Sequence, residues 1–184
     1  MLAYKGFEKG LVCRGYQFVY GKNETDEANC AHNGFHCAAN PLDCFTYYPD
    51  IQNSMYCIVD AGGDIDEDNL DSKISCTVLT VLKELTLEEL LLHSLAFMVD
   101  HPRLPWNSNV EKGFAHAHNG YVIVRGLDPT AKGENGDILA LARESVDGKT
   151  IEQIAISRID GKKLKADTWY DVNFKKRKVC VNID

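Results

Sequence analysis

Two cysteines and two histidines fall within eight residues in the run Cys30-Ala31-His32-Asn33-Gly34-Phe35-His36-Cys37. All four side chains are zinc-ligand types. A structural zinc site, however, uses closely spaced ligand pairs, and the chain has no second CxxC pair to complete one. The run therefore reads as small core thiols with a hydrogen-bonded histidine, and no metal is assigned to it. Asp64-Ile65-Asp66-Glu67-Asp68 begins like a calcium loop, but Asn69 and Ser75 stand where that loop needs Gly and Glu. His116 and His118 alternate as strand neighbours would, without an adjacent carboxylate cluster, and read as a surface loop. GxSxG, GxxxxGK[ST] and a strand-linked GxGxxG are all missing. No catalytic residue and no cofactor is assigned from these motifs.

Charge is the stronger signal. From Asn23 to Ser72 there is no Lys or Arg, and the same stretch carries Glu24, Asp26, Glu27, Asp43, Asp50 and Asp60. Its densest part is Asp64, Asp66, Glu67, Asp68 and Asp71. By contrast, Lys162, Lys163, Lys165, Lys175, Lys176, Arg177 and Lys178 make the tail basic. A carboxylate-rich face either keeps the molecule soluble or docks onto a basic surface. On the second reading the five residues from Asp64 to Asp71 are the partner-binding face, on an exposed turn after Gly62-Gly63. The net charge of -7 argues against direct binding of nucleic acid, which needs Lys and Arg to displace counterions from phosphates.

The elements that would position these residues can be read from local patterns. Ala3–Phe7 and Gly15–Tyr20 resemble short strands. Asn40-Pro41-Leu42-Asp43 is a helix start, with Asn40 as cap, Pro41 in the first turn and Asp43 favoured by the helix dipole; the helix stops before Pro49. Met55–Ala61 and Ile74–Leu82 are β-rich. Thr86-Leu87-Glu88-Glu89 is a capping box that opens a longer helix over 86–99. Pro102, Pro105, Gly113 and Gly120 mark 101–120 as a connection. Beyond it, 121–125, 138–143, 151–159, 168–172 and 178–182 alternate as strands, with turn signals at Asp147-Gly148 and Asp160-Gly161. The expected fold class is therefore α+β: an acidic mixed α/β lobe over 1–100, a linker over 101–120, and an antiparallel β-rich lobe with a basic tail over 121–184.

With 45% hydrophobic residues over 184 positions, the chain can build a packed core. The start Met-Leu-Ala-Tyr-Lys-Gly-Phe lacks the basic and apolar regions of a signal peptide. The most apolar stretch, 85–99, contains Glu88, Glu89 and His93 and is too short to span a bilayer. Seven cysteines, an odd number, fit reduced thiols, so a bacterial cytosol is the expected compartment.

Several segments carry a resemblance. Tyr4-Lys5-Gly6-Phe7, Cys13-Arg14-Gly15-Tyr16-Gln17, Gly34-Phe35-His36, Asn40-Pro41-Leu42-Asp43 and Tyr47-Tyr48-Pro49 resemble an uncharacterised family of phages and prophages of gut Firmicutes. The segment from Gly161 to Tyr170, ending Ala166-Asp167-Thr168-Trp169-Tyr170, resembles the same family. Relatives carry long Gly- and Ala-rich repeats in the middle, reduced here to 113–133. A second resemblance is to the core of ADP-ribosyltransferases, in which a strand like Gly34-Phe35-His36 precedes a helix whose aromatic, here Tyr47 or Tyr48, stacks on nicotinamide. Lys5 stands where that family has His or Arg.

A phage setting and an acidic face together imply a counter-defence protein that binds rather than catalyses. The expected partner is a host protein with a basic nucleic-acid-binding cleft, most concretely a type II CRISPR nuclease with its guide RNA, and no membrane is involved. An ADP-ribosyltransferase-like modifier of a host protein and a virion or prophage accessory without a host target are the alternatives.

Overall fold

The computed structural model describes residues 1–30, 32–67 and 72–178. Strand accounts for 49% of it and helix for 11%. The α+β expectation is thereby corrected: the molecule is mostly β. Among the described residues the two helices, α1 (Asp43–Tyr47) and α2 (Leu87–Asp100), sit where the sequence signals put them. The chain divides into two units, Met1–Leu90 and Leu91–Asp184.

The first unit is built on β1 (Leu2–Glu8), β2 (Val12–Cys13), β3 (Tyr16–Gln17), β4 (Gly21–Glu24), β5 (Phe35–Ala38), β6 (Ser54–Glu67) and β7 (Lys73–Leu85). All of its pairings are antiparallel. β6 pairs along the whole of β1, from Leu2↔Asp60 to Glu8↔Ser54, and along β7 on its other edge. β7 in turn pairs β5, and β5 touches β1 through Tyr4↔Ala38. These four strands therefore close a ring. Alternation along β1 sends Ala3 and Phe7 into a core with Cys57, Val59, Cys76 and Leu79. β6 and β7 are long because Gly62 and Gly63 form a register shift inside the ribbon rather than ending it.

Asn40 starts α1 indirectly: its Oδ1 accepts the Leu42 amide at 3.1 Å. Asp43 does not face solvent as a dipole partner; its carboxylate accepts the Ser72 hydroxyl at 2.6 Å. The Thr86 capping box forms as written, with the Thr86 amide donating to Glu89 at 2.8 Å and the Glu89 amide donating to Thr86 Oγ1 at 3.2 Å.

The second unit holds β8 (Glu111–His116), β9 (Tyr121–Lys132), β10 (Ile138–Glu144), β11 (Ile151–Arg158) and β12 (Tyr170–Asp171) in one sheet. The segment read as a connection thus contributes β8. The sheet is mixed, not antiparallel as expected: β8 and β10 both run parallel to β9. The shift on β9 falls at 126–129, where Gly126 lies so close to Gly113 that a Cβ would stand 3.3 Å from its Cα. Asp147-Gly148 turns β10 into antiparallel β11, as its sequence indicates. Asp160-Gly161 does not make a hairpin; Asp160 Oδ1 instead accepts the amides of Lys162, Lys163 and Leu164. Most of the expected strand at 178–182 lies outside the described residues.

Candidate functional site

The first unit contains a cleft of about 600 Å3. It opens where β1 and β5 part. Only Tyr4↔Ala38 joins these strands, and past it the Lys5 ammonium donates to the His36 carbonyl at 2.6 Å. Lys5 shares the inward face with Ala3 and Phe7 and is 4% exposed. Its Nζ lies over the Phe7 and Phe18 rings, at 5.2 and 5.3 Å, and 3.6 Å from Cys13 Sγ. Two ring faces and a carbonyl are what offset the cost of burying this charge.

Cys13 is placed by a tight hairpin. Arg14 and Gly15 both have positive φ, 49° and 79°, and turn β2 into β3 with Cys13 opposite Tyr16. The Tyr48 hydroxyl donates to Cys13 Sγ at 3.0 Å. Tyr48 follows α1, and its ring covers Gly6 so closely that a Cβ there would be 2.3 Å from the ring. Burial, then the bond to Cys13, pushes the Tyr48 phenol well above its usual range. Gly34 is fixed twice, by φ of 84° and by a Cβ position 2.3 Å from Ser75 Oγ and 2.9 Å from Ala28 Cα. These contacts explain why the glycines of Tyr4-Lys5-Gly6-Phe7 and Gly34-Phe35-His36 sit beside the cleft.

The cleft is cationic inside an acidic protein. Lys5, Arg14 and Lys73 line it, together with His32 and His36. All three fixed cations come from outside the Lys- and Arg-free stretch, Lys73 being the first residue after it. The carboxylates in the lining are Glu8 and Asp43, and Asp43 is engaged by Ser72. Arg14 is exposed and has no carboxylate within salt-bridge distance among the described residues. Burial, followed by the charges of Lys5, Arg14 and Lys73, lowers the His36 pKa, so the imidazole is neutral at pH 7. Rings complete the wall: Tyr16 packs against Phe18 and Phe35, with centroids 4.7 and 5.1 Å away, and Tyr47 is 49% exposed with Lys73 Nζ 5.4 Å from its ring.

The Cys30–Cys37 run is dispersed by the fold. His32 and His36 line the cleft. Cys30 Sγ donates to the Lys73 carbonyl at 3.7 Å. Cys37 is buried against Cys76, whose thiol, with burial, pushes that of Cys37 far up. Among the described residues no group of three or more His, Cys, Asp or Glu side chains is placed to hold a metal. Cys13, Cys30, Cys37, Cys44, Cys57 and Cys76 are free thiols, and Cys180 lies outside the described residues. The rings of His116 and His118 stand 5.5 Å apart in the second unit, with His116 Nε2 buried and without a hydrogen-bond partner among the described residues.

Asp64, Asp66 and Glu67 are exposed. They lie on the end of β6, beyond the shift at Gly62, rather than on a free turn. Asp66 accepts the Cys30 amide at 2.6 Å, and strand alternation sends Glu67 to the opposite face. Asp68 and Asp71 lie outside the described residues.

Residues 1–93 match a family described as a domain of unknown function (DUF7666). The chain belongs to this family. The DUF7666 match spans every residue that lines the cleft. No curated protein and no solved structure matches the chain. No helix among the described residues is long and apolar enough to cross a membrane.

Proposed function

We propose that the DUF7666 domain is a binding module whose cleft takes an anionic ligand bearing an aromatic ring, with nucleotides as the class. The observation that carries the reading is the convergence of Lys5, Arg14 and Lys73 with exposed tyrosine rings in one concavity of a protein with net charge -7. Phosphate would be held by Arg14 and Lys73, and a base or nicotinamide ring would stack on Tyr47 or Tyr16. The resemblance to ADP-ribosyltransferases adds dinucleotides to the class. Within this reading Glu8, the exposed carboxylate of the cleft, is the group to replace in an assay of nicotinamide release. The test is calorimetric titration of AMP, ADP and NAD. One-site binding weakened about tenfold by Arg14→Ala or Lys73→Ala supports the reading; absence of binding across the panel removes it.

A second reading is favoured by the exposure of Asp64, Asp66 and Glu67. In it the protein is a phage counter-defence factor in the host cytosol. It occupies the basic nucleic-acid-binding cleft of a host enzyme, a type II RNA-guided nuclease above all, through the acidic end of β6. Inhibition of such a nuclease by the intact protein, lost when the acidic residues are converted to amides, tests it.

A further inference from the structure

Two imidazoles line the cleft, and the fold holds them differently. His32 lies exposed on the turn before β5. His36 is half-buried within β5, and its carbonyl takes the Lys5 ammonium at 2.6 Å. The register sets His36 opposite Ser75 and Ala38 opposite Lys73, so Lys73 shares the sheet face of His36 two residues along. Arg14 comes to the same cleft from the turn between β2 and β3. Cations from three parts of the chain thus act on one imidazole, which also bonds the Gly34 backbone.

This arrangement couples the imidazole to any anion in the cleft. Burial, and then the charges of Lys5, Arg14 and Lys73, keep His36 neutral in the protein alone. An anion that settles on Arg14 and Lys73 cancels the charge that disfavours the imidazolium and adds an attraction of its own. By reciprocity, the protonated side chain must hold that anion more tightly than the neutral one does. Other titratable groups face the same space. Glu8 on β1 and Asp43 beside it on α1 are its carboxylates, and Asp43 is engaged by Ser72. Burial pushes the Tyr4 and Tyr48 phenols up, and the Cys44 thiol to about 12. Histidine is the side chain that ordinarily changes charge between about pH 5 and 8, which leaves the two imidazoles.

We propose that the cleft takes up a proton together with its anion, and that His36 is the residue that binds the proton. His36 has this role only if the cleft is the anion site proposed above. The imidazolium then has an N–H on each nitrogen, one of them for the ligand. Affinity is lowest at alkaline pH, where His36 is neutral with or without ligand. It rises as pH falls through the value His36 has beside the anion, and levels off below the lower value it has without one.

Calorimetric titration of AMP, ADP and NAD between about pH 5 and 8, in two buffers of different ionisation enthalpy, counts the protons taken up with each nucleotide. Affinity should rise roughly threefold to tenfold from the alkaline to the acid end. Proton uptake should be larger in the wild type than in His36→Gln, the titration of the phosphate itself being common to both. His32→Gln should retain the extra uptake, whatever it does to affinity. An NMR titration of the wild-type imidazoles reads the same event directly: His36 should titrate below the usual histidine range in the protein alone and move upward when nucleotide saturates it. Thermal melts show that each variant is folded. Binding without extra proton uptake, or uptake that survives in His36→Gln and is lost in His32→Gln, overturns the role of His36 and leaves the anion site standing. Absence of binding at every pH removes the anion site, and the role of His36 with it.

Discussion

The cleft and the acidic end of β6 lie in the same unit and are opposites in charge. Along the chain the acidic run is conspicuous, because its carboxylates are closely spaced and no Lys or Arg interrupts them. The cations of the cleft sit at positions 5, 14 and 73 and look like scattered solvated residues. Folding reverses their weight. Long-range pairing of β1, β5 and β7 brings Lys5 and Lys73 together, and the β2–β3 hairpin, paired to β1, adds Arg14 to the same concavity. Strand alternation divides Asp66 from Glu67, and Asp66 is partly used in holding the Cys30 amide. Adjacency in sequence gives charge density, while a binding geometry needs convergence across strands.

The sharpest way to break the comparison is to remove what shapes the cleft while leaving its charges in place. Gly34→Ala forces an L side chain into positive φ and against the Ala28 backbone and Ser75; a loss of about 2–4 kcal/mol is expected in denaturant unfolding. Gly6→Ala displaces the Tyr48 ring and with it the bond to Cys13, at about 1–3 kcal/mol. Next in size is ligand affinity. Arg14→Ala and Lys73→Ala should each weaken nucleotide binding about tenfold in calorimetry, with no comparable change in melting temperature.

Local signals in the sequence were legible. The Thr86–Glu89 capping box, the stop of α1 before Pro49 and the Asp147-Gly148 turn all depend on residues within a few positions of one another. The fold class was not legible, because Gly62-Gly63 reads as a break and in fact bends a continuous ribbon. In the second unit, strands separated by turn residues suggest hairpins, yet β9 has two parallel neighbours, β8 and β10, set by long-range pairing that no local turn signal announces. The candidate site was hidden for a related reason: nothing near Lys5 in sequence announces the His36 carbonyl or Cys13. One signal was present. Lys5 alternates with Ala3 and Phe7, and a lysine on the apolar side of a strand needs partners that only the fold can supply.

Smaller effects separate the acidic run from the cleft. Converting Asp64, Asp66, Glu67, Asp68 and Asp71 together to amides should leave the fold and nucleotide binding unchanged. On the counter-defence reading it should slow association with a basic target and flatten its salt dependence, which surface plasmon resonance would measure. The smallest expected effect lies away from both regions. The Lys83 ammonium, then the Thr86 amide and hydroxyl, lower the Glu89 carboxyl from 4.5 to about 2. Because the folded value is depressed, the stabilisation is complete above about pH 4.5 and lost as pH falls through about 2. Glu89→Gln should therefore lower Tm slightly at pH 7, and thermal melts at falling pH should show the difference closing.

The central claim is that the cationic cleft of the DUF7666 domain, and not the acidic run, is its ligand site. Calorimetric titration of AMP, ADP and NAD into three proteins tests it most directly: the wild type, the Arg14→Ala/Lys73→Ala double variant and the five-residue amide variant. The account predicts saturable one-site binding of at least one of these nucleotides to the wild type and the amide variant, with loss in the double variant. Absence of binding to the wild type, or binding that survives in the double variant, would contradict it.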